Sequence, residues 1–378
     1  MAINLRSPYY ISTSITDTSY ATLDITIWSG SVTNPPASQY SLRKSVVGSS
    51  VIVLFEISEL VRDYLDITFD GDYTGQEVWA KTVHTVYNSS GGVLLTSTYT
   101  QIAFDGYWYF EESQTATPST FISNRELFVL EDNAFRIPIY TSNSPTVVFY
   151  KDGEVIASET FSSSTDSVNQ IKYVSIYGDS VNWDTFQERV TGEFPPADYE
   201  PNACLQSFFD NYSIGAVDKI TVSNDRGIET IKVNVIEECK YEPKKVTFIN
   251  KFGALQDMYF FKKAVEQMTI EKESYKSNII SAYGQYSKSN HVNRDFNVVG
   301  KESITLSSGF LSEEYNEVFK QMMLSEKVWV TNILENGEQV LPINVKTSDI
   351  TYKTSLNNKL VEYTIEFDKS FDTINNIR

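Results

Sequence analysis

Two cysteines, two histidines and no apolar run approaching ~18 residues set the first limits on this 378-residue chain. Cys204 and Cys239 cannot build a disulfide framework. They read as two free buried thiols, with a single bridge in an oxidising setting as the alternative. His84 and His291 are distant from each other and from both cysteines, so no zinc spacing exists. No Gly-x-Ser-x-Gly elbow, phosphate loop or dinucleotide fingerprint occurs. The first ten residues lack the basic start and apolar run of a signal peptide. These lacks predict a protein made in the cytoplasm, without a membrane span, that stays soluble or joins an assembly. Basic residues are also short: 31 against 49 acids, a net charge of −18. A surface this acidic repels phosphate backbones and disfavours general nucleic-acid binding.

What is abundant is strand-forming material. Hydrophobic residues make up 41% and aromatics 13%, enough for real cores. Thr, Tyr, Val and Ile suit a pleated surface. The pattern predicts a mainly β fold in three parts: β-sandwich-like units at 1–115 and 116–243, then an α+β unit at 244–378 with one helix on a small antiparallel sheet. Ala21, Leu23, Ile25 and Ile27 alternate with polar residues, the period of a half-buried strand. Val51 to Phe55 is wholly apolar and reads as a central strand, followed by Ser58 as a helix N-cap. Asp152-Gly153 between two apolar runs is a hairpin signal. Glu111 to Thr120 reads as a linker, Trp183 to Arg189 as a short helical turn, and Glu193 to Asn202 as loop. In the third part, Gln267 to Ser277 reads as an exposed strand and Asn278 to Asn297 as a polar loop. Ser312 is placed to cap a helix with Tyr315, Val318, Phe319, Met322 and Met323 on one face. Hairpins follow at Asn336-Gly337 and, pairing 349–354 with 359–367, around Leu356-Asn357-Asn358.

Residues with chemistry to offer are scattered. His84 reads as a satisfied histidine on a sheet face. Asp66, Asp70 and Asp72 beside Gly71 lack the ligand series of a calcium loop. No catalytic, cofactor or metal residue is expected, and the chain is read as not an enzyme. Two surfaces stand out instead. Lys244, Lys245, Lys251, Lys262 and Lys263 cluster about the strand–turn–strand stretch 246–262. They form either a solvated face or a contact to an acidic protein neighbour. Tyr107, Trp108, Tyr109 and Phe110 either fill a core or interface, or offer a stacking platform for a glycan.

Several patches are alike in kind. They are Asn4-Leu5-Arg6-Ser7-Pro8-Tyr9-Tyr10-Ile11, Phe55-Glu56-Ile57-Ser58-Glu59-Leu60-Val61-Arg62-Asp63-Tyr64, Phe248-Ile249-Asn250-Lys251-Phe252-Gly253-Ala254-Leu255-Gln256-Asp257 and Tyr363-Thr364-Ile365-Glu366-Phe367-Asp368. Together they resemble virion structural proteins of tailed bacteriophages of Bacteroidetes-type hosts, crAss-like or flavobacterial. The resemblance implies a non-enzymatic subunit of the phage tail, in the baseplate or tail-tip region, assembled in the host cytoplasm. It implies a symmetric homo-oligomer that connects tail tube, hub, wedge or fibres, with no cofactor and no nucleic-acid or membrane partner. The alternative is a receptor- or glycan-binding tail module using Tyr107, Trp108 and Tyr109. The extended segment 1–11, broken by Pro8, is expected to act as an arm that adds a strand to a neighbouring subunit.

Overall fold

The computed structural model describes residues 2–47, 52–112, 118–130, 135–142, 144–160, 170–176, 217–236, 240–334, 337–352 and 360–374. Cys204, Cys239, the expected helical turn at 183–189, the loop at 193–202, Asn336 and the turn at 356–358 lie outside them, as do residues 113–117 of the expected linker. The fold is mainly β, with two α-helices among the described residues. Two compact units emerge, and neither is one continuous stretch. Unit 1 comprises Met1–Glu237, Thr247–Met258 and Glu314–Ser325; unit 2 comprises Glu238–Val246, Tyr259–Glu313 and Glu326–Arg378. Unit 1 therefore holds both regions expected as separate sandwiches, and the amphipathic helix as well.

In unit 1, the strands β1 (Ile3–Asn4), β3 (Tyr20–Trp28), β4 (Tyr40–Ser45), β6 (Glu77–Tyr87) and β7 (Val93–Phe104) form a sheet of order β1-β7-β6-β3-β4. Strands β2 (Tyr10–Ser14) and β5 (Ile52–Glu56) pair separately, and α1 (Ser58–Arg62) follows β5. The alternation in β3 does what it predicts. Ala21, Leu23 and Ile25 are buried, in one apolar cluster with Ile11, Val53, Phe55, Val61, Val78 and Val86. The apolar run 51–55 is not a central strand. Among the described residues β5 pairs as a strand only with β2, and Ile52 and Leu54 point outward while Val53 and Phe55 point in. Ser58 is the first helical residue rather than the cap; its hydroxyl bonds the Glu56 carboxylate. The segment 1–11 does not hang free either. Ile3 and Asn4 pair in parallel with Ala103 and Phe104, and Ile3 and Leu5 are buried, because apolar side chains on an extended end are more stable tucked against their own sheet.

The rest of unit 1 adds β8 (Glu126–Leu130), β9 (Phe135–Thr141), β10 (Thr146–Lys151), β11 (Glu154–Thr160), β12 (Gln170–Ile176), β13 (Lys219–Asn224) and β14 (Gly227–Ile236). They form a sheet of order β11-β10-β13-β14-β8 and a β12-β9 pair. Asp152 and Gly153 both have positive φ, the turn that the pair announces. β8 and β14 run parallel across almost a hundred residues of chain.

Strands β15 (Lys244–Ile249) and β16 (Leu255–Phe260) bracket the turn at 250–253, whose neighbourhood belongs to unit 1. In unit 2, β17 (Val265–Lys276), β18 (Asn293–Ser307), β20 (Val328–Leu334), β21 (Gly337–Val345) and β23 (Thr364–Lys369) run in the order β20-β21-β23-β18-β17, all antiparallel. Strands β19 (Leu311–Ser312) and β22 (Leu360–Val361) pair apart. β23 takes β18 and β21 as partners, not 349–354, of which the described part is not a strand. Helix α2 (Tyr315–Met323) buries Tyr315, Val318, Phe319 and Met322 as its spacing requires. It packs in unit 1, where the Tyr315 hydroxyl accepts the Phe128 N–H at 3.0 Å.

Gly253 has φ +79°, and a Cβ there would lie 2.5 Å from the Phe104 Cβ and 2.9 Å from the Asp105 nitrogen. Gly253→Ala should therefore lower unfolding stability by about 2 kcal/mol or more. It should be read as a drop in urea midpoint with an unchanged slope.

Candidate interaction surfaces

The stretch around 250–257 is largely buried and hydrogen-bonded; Lys251 and Phe252 are half-buried, and Asp257 Oδ2 is enclosed without a partner. Asn250 donates to the Phe121 carbonyl at 2.6 Å and to Gln256 Oε1 at 2.9 Å, and its Oδ1 accepts the Phe252 and Ala254 N–H groups. The Ser123 hydroxyl lies 2.7 Å from Gln256 Oε1 and 2.5 Å from Gln321 Oε1; with one proton it serves one of them at a time. Gln321, on α2, also accepts the Lys251 N–H and donates to Glu317. Asp257 Oδ1 accepts from the Tyr73 hydroxyl at 2.6 Å and from Thr247 at 2.8 Å. Burial first, then the Asp257 charge, pushes the Tyr73 phenol well up. The stretch is thus a structural knot of unit 1.

The aromatic corner is largely committed to the same knot. Tyr107 is buried, with Arg6 over its ring, and burial raises its phenol to about 12. The Tyr109 hydroxyl donates to Glu317 at 2.9 Å, and the Lys320 ammonium sits 3.5 Å from its ring centroid. Burial drives the Tyr109 phenol far up. Trp108 is half-buried and Phe110 is wholly exposed. Of the lysines, Lys245 is buried. Lys244 pairs with Glu242, and Lys251 with Glu112 at 2.8 Å, their side chains 13% and 14% exposed. Lys262 is half-buried against Gly309, and Lys263 is exposed. Exposure thus differs among the five.

His84 and the acids at 66–72 form no shared site with each other among the described residues. His84 is buried edge-on to Phe55, with Nε2 unbonded and its imidazole pKa lowered by burial. Asp70 Oδ1 accepts the Asp72 N–H, an ordinary turn contact. Among the described residues no group of three or more His, Cys, Asp or Glu side chains could hold a metal, and no helix is long and apolar enough to cross a membrane. A groove of about 600 Å³ in unit 2 is lined by Glu271, Lys301, Lys346, Asp368 and Lys369. Its lysines are neutralised by Glu271, Glu366, Asp368 and Glu302.

Among the described residues, the outer half of the β17–β18 ribbon has little support from the rest of unit 2. β23 covers β18 only at Ser303–Ser307, and a bond from the Thr373 N–H to the Gly300 carbonyl is the last support outward. Beyond it, among the described residues, Glu271–Lys276 and Asn293–Val299 pair only with each other, with a bulge at 271–273. Six further residues of strand extend about 20 Å. All twelve residues of β17 are exposed. Met268, Ile270, Tyr275, Phe296 and Val298 are each about half exposed, and Tyr283 at the tip is 90% exposed. Alternation of Met268 and Ile270 signals the strand, but the continuation of β18 back to Asn293 was hidden, because 278–297 is polar throughout its middle.

No protein-family model matches the chain, and no curated protein matches it.

One buried acid gives a test of unit 1. Glu77 Oε2, at the start of β6, is enclosed without a hydrogen-bond partner, and burial raises the carboxyl from 4.5 to about 7. A raised folded pKa gives stability that is complete below the unfolded value and is lost as pH rises through about 7. Glu77→Gln should therefore gain, relative to the parent, up to about 3 kcal/mol more at pH 8 than at pH 4 in urea unfolding.

Proposed function

We propose that this chain is a non-enzymatic structural subunit of a phage tail, in the baseplate or tail-tip region, which builds a symmetric oligomer and connects tail components. The observation that carries the assembly part is the ribbon. A two-stranded hairpin is marginally stable in water by itself, and this one adds exposed apolar and aromatic side chains on its faces. Such a projection gains stability when another chain covers it. The tail assignment is supported by the resemblance of the four patches quoted above. Its partners in this reading are further copies of itself and other virion proteins of the tube, hub, wedge or fibres. The organisation of unit 1 fits the same reading: its polar network is spent on holding the unit together, with Lys251, Tyr109 and Gln321 all turned to internal partners.

Mass photometry and negative-stain imaging of the full chain should show one discrete closed oligomer at micromolar concentration. A strictly monomeric species, even with virion extract present, would contradict the reading.

The wholly exposed Phe110 beside half-buried Trp108 favours keeping a glycan-binding reading as the second. On a glycan array the assembly reading expects no binding by the parent chain. Binding that Trp108→Ala abolishes, with an unchanged far-UV spectrum, would favour the second reading instead.

A further inference from the structure

The ribbon tip has the opposite charge to the rest of the chain. Between Lys276 and Arg294 lie three of the 31 basic residues and none of the 49 acidic ones, so the remainder carries −21. Lys276, Lys288 and Arg294 are exposed, and their side chains make no ion pair or hydrogen bond. Nearer the sheet the pattern differs: Lys272 is paired with Asp295 and Lys301 with Glu271. The same tip exposes Tyr275, Tyr283, Tyr286 and Ile280. Basic charge and aromatic rings side by side describe a contact surface for an acidic, partly apolar partner.

Unit 1 presents such a surface. From Glu59 to Asp72 there are five exposed acids, Glu59, Asp63, Asp66, Asp70 and Asp72. The one cation among them, Arg62, is drawn to Asp105 at 3.0 Å. β5 runs directly into this stretch, and the outer face of the β2–β5 pair carries exposed Tyr10, Ile52 and Leu54, with Tyr64 just beyond. Acids flank an apolar strip here, as cations flank rings on the tip.

We propose that the ribbon tip of one copy docks on the 59–72 face of a second copy. The inference rests on the assembly reading above and names its contact. The contact joins unlike patches; made head-to-tail and repeated with closure it gives a ring, and made reciprocally it gives a two-fold dimer. A nucleic acid is the weaker occupant, because the −21 carried elsewhere on the chain would repel it.

Two charge reversals test this in the full chain. One carries Lys276→Glu, Lys288→Glu and Arg294→Glu; the other carries Glu59→Lys, Asp63→Lys and Asp66→Lys. Each variant alone should self-associate at least about tenfold more weakly by mass photometry, with an unchanged melting temperature. An equal mixture should recover assembly, because each tip then meets a face of opposite sign. Rising salt should weaken the parent oligomer. If the second variant loses its fold, the tip variant and the salt titration decide between them. A tip-reversed variant that assembles like the parent overturns the docking and leaves the assembly reading standing. A monomeric parent removes the assembly reading itself. Tip-dependent binding of single-stranded DNA or of anionic vesicles, without self-association, overturns the docking as well.

Discussion

Unit 1 depends on one buried amide. Asn250 is wholly buried, and both ends of its side chain are hydrogen-bonded, two bonds going to backbone N–H groups of its own turn and one to the Phe121 carbonyl. An unmet amide in that position would cost of order 1–3 kcal/mol, so the turn and the 119–123 segment are fixed together. The turn also meets the chain from two other directions. The Lys251 carbonyl accepts the Tyr107 N–H at 2.8 Å, and the Lys251 N–H reaches Gln321 on α2. Gly253 fits against Phe104 because it has no side chain. Segments more than a hundred residues apart are thereby tied at one place.

The polar and aromatic residues around that knot face inward. Tyr109, Glu317 and Gln321 form a continuous line of hydrogen bonds. Of the residues that look like a binding platform in sequence, Tyr107 is buried and Tyr109 is bonded to Glu317, while Phe110 stays exposed. Unit 2 shows the reverse economy. Its sheet is satisfied from β20 to β23, yet the ribbon continues well past the last strand that supports it. Exposed rings and unpaired cations are collected at the end of that projection. The contrast between the inward-turned network of unit 1 and an extension that carries exposed rings and cations gives the assembly reading its physical content.

Much of the β structure was legible. The period of two in β3, Asp152-Gly153 and the pair β13–β14 around 224–227 each carry their geometry locally. Local pattern failed where partnership decided the outcome. Nothing in Val51 to Phe55 tells that the strand pairs with β2, and nothing in Pro8 or Tyr9 tells that Ile3 pairs with Ala103. The parallel β8–β14 pairing joins distant segments without a turn to announce it. For the lysine cluster, sequence proximity says nothing of exposure: Lys245 is buried while Lys263 is open. The tip left one readable sign, nineteen residues without an acid in an acidic chain.

Hydrogen exchange of the ribbon amides reports most directly on whether a second chain covers them. Covering predicts that amides of 271–276 and 293–299 exchange rapidly in dilute chain and slow by at least about tenfold on assembly, while those of β20 and β21 stay unchanged. Ribbon exchange that is the same at every concentration at which oligomer forms would contradict it.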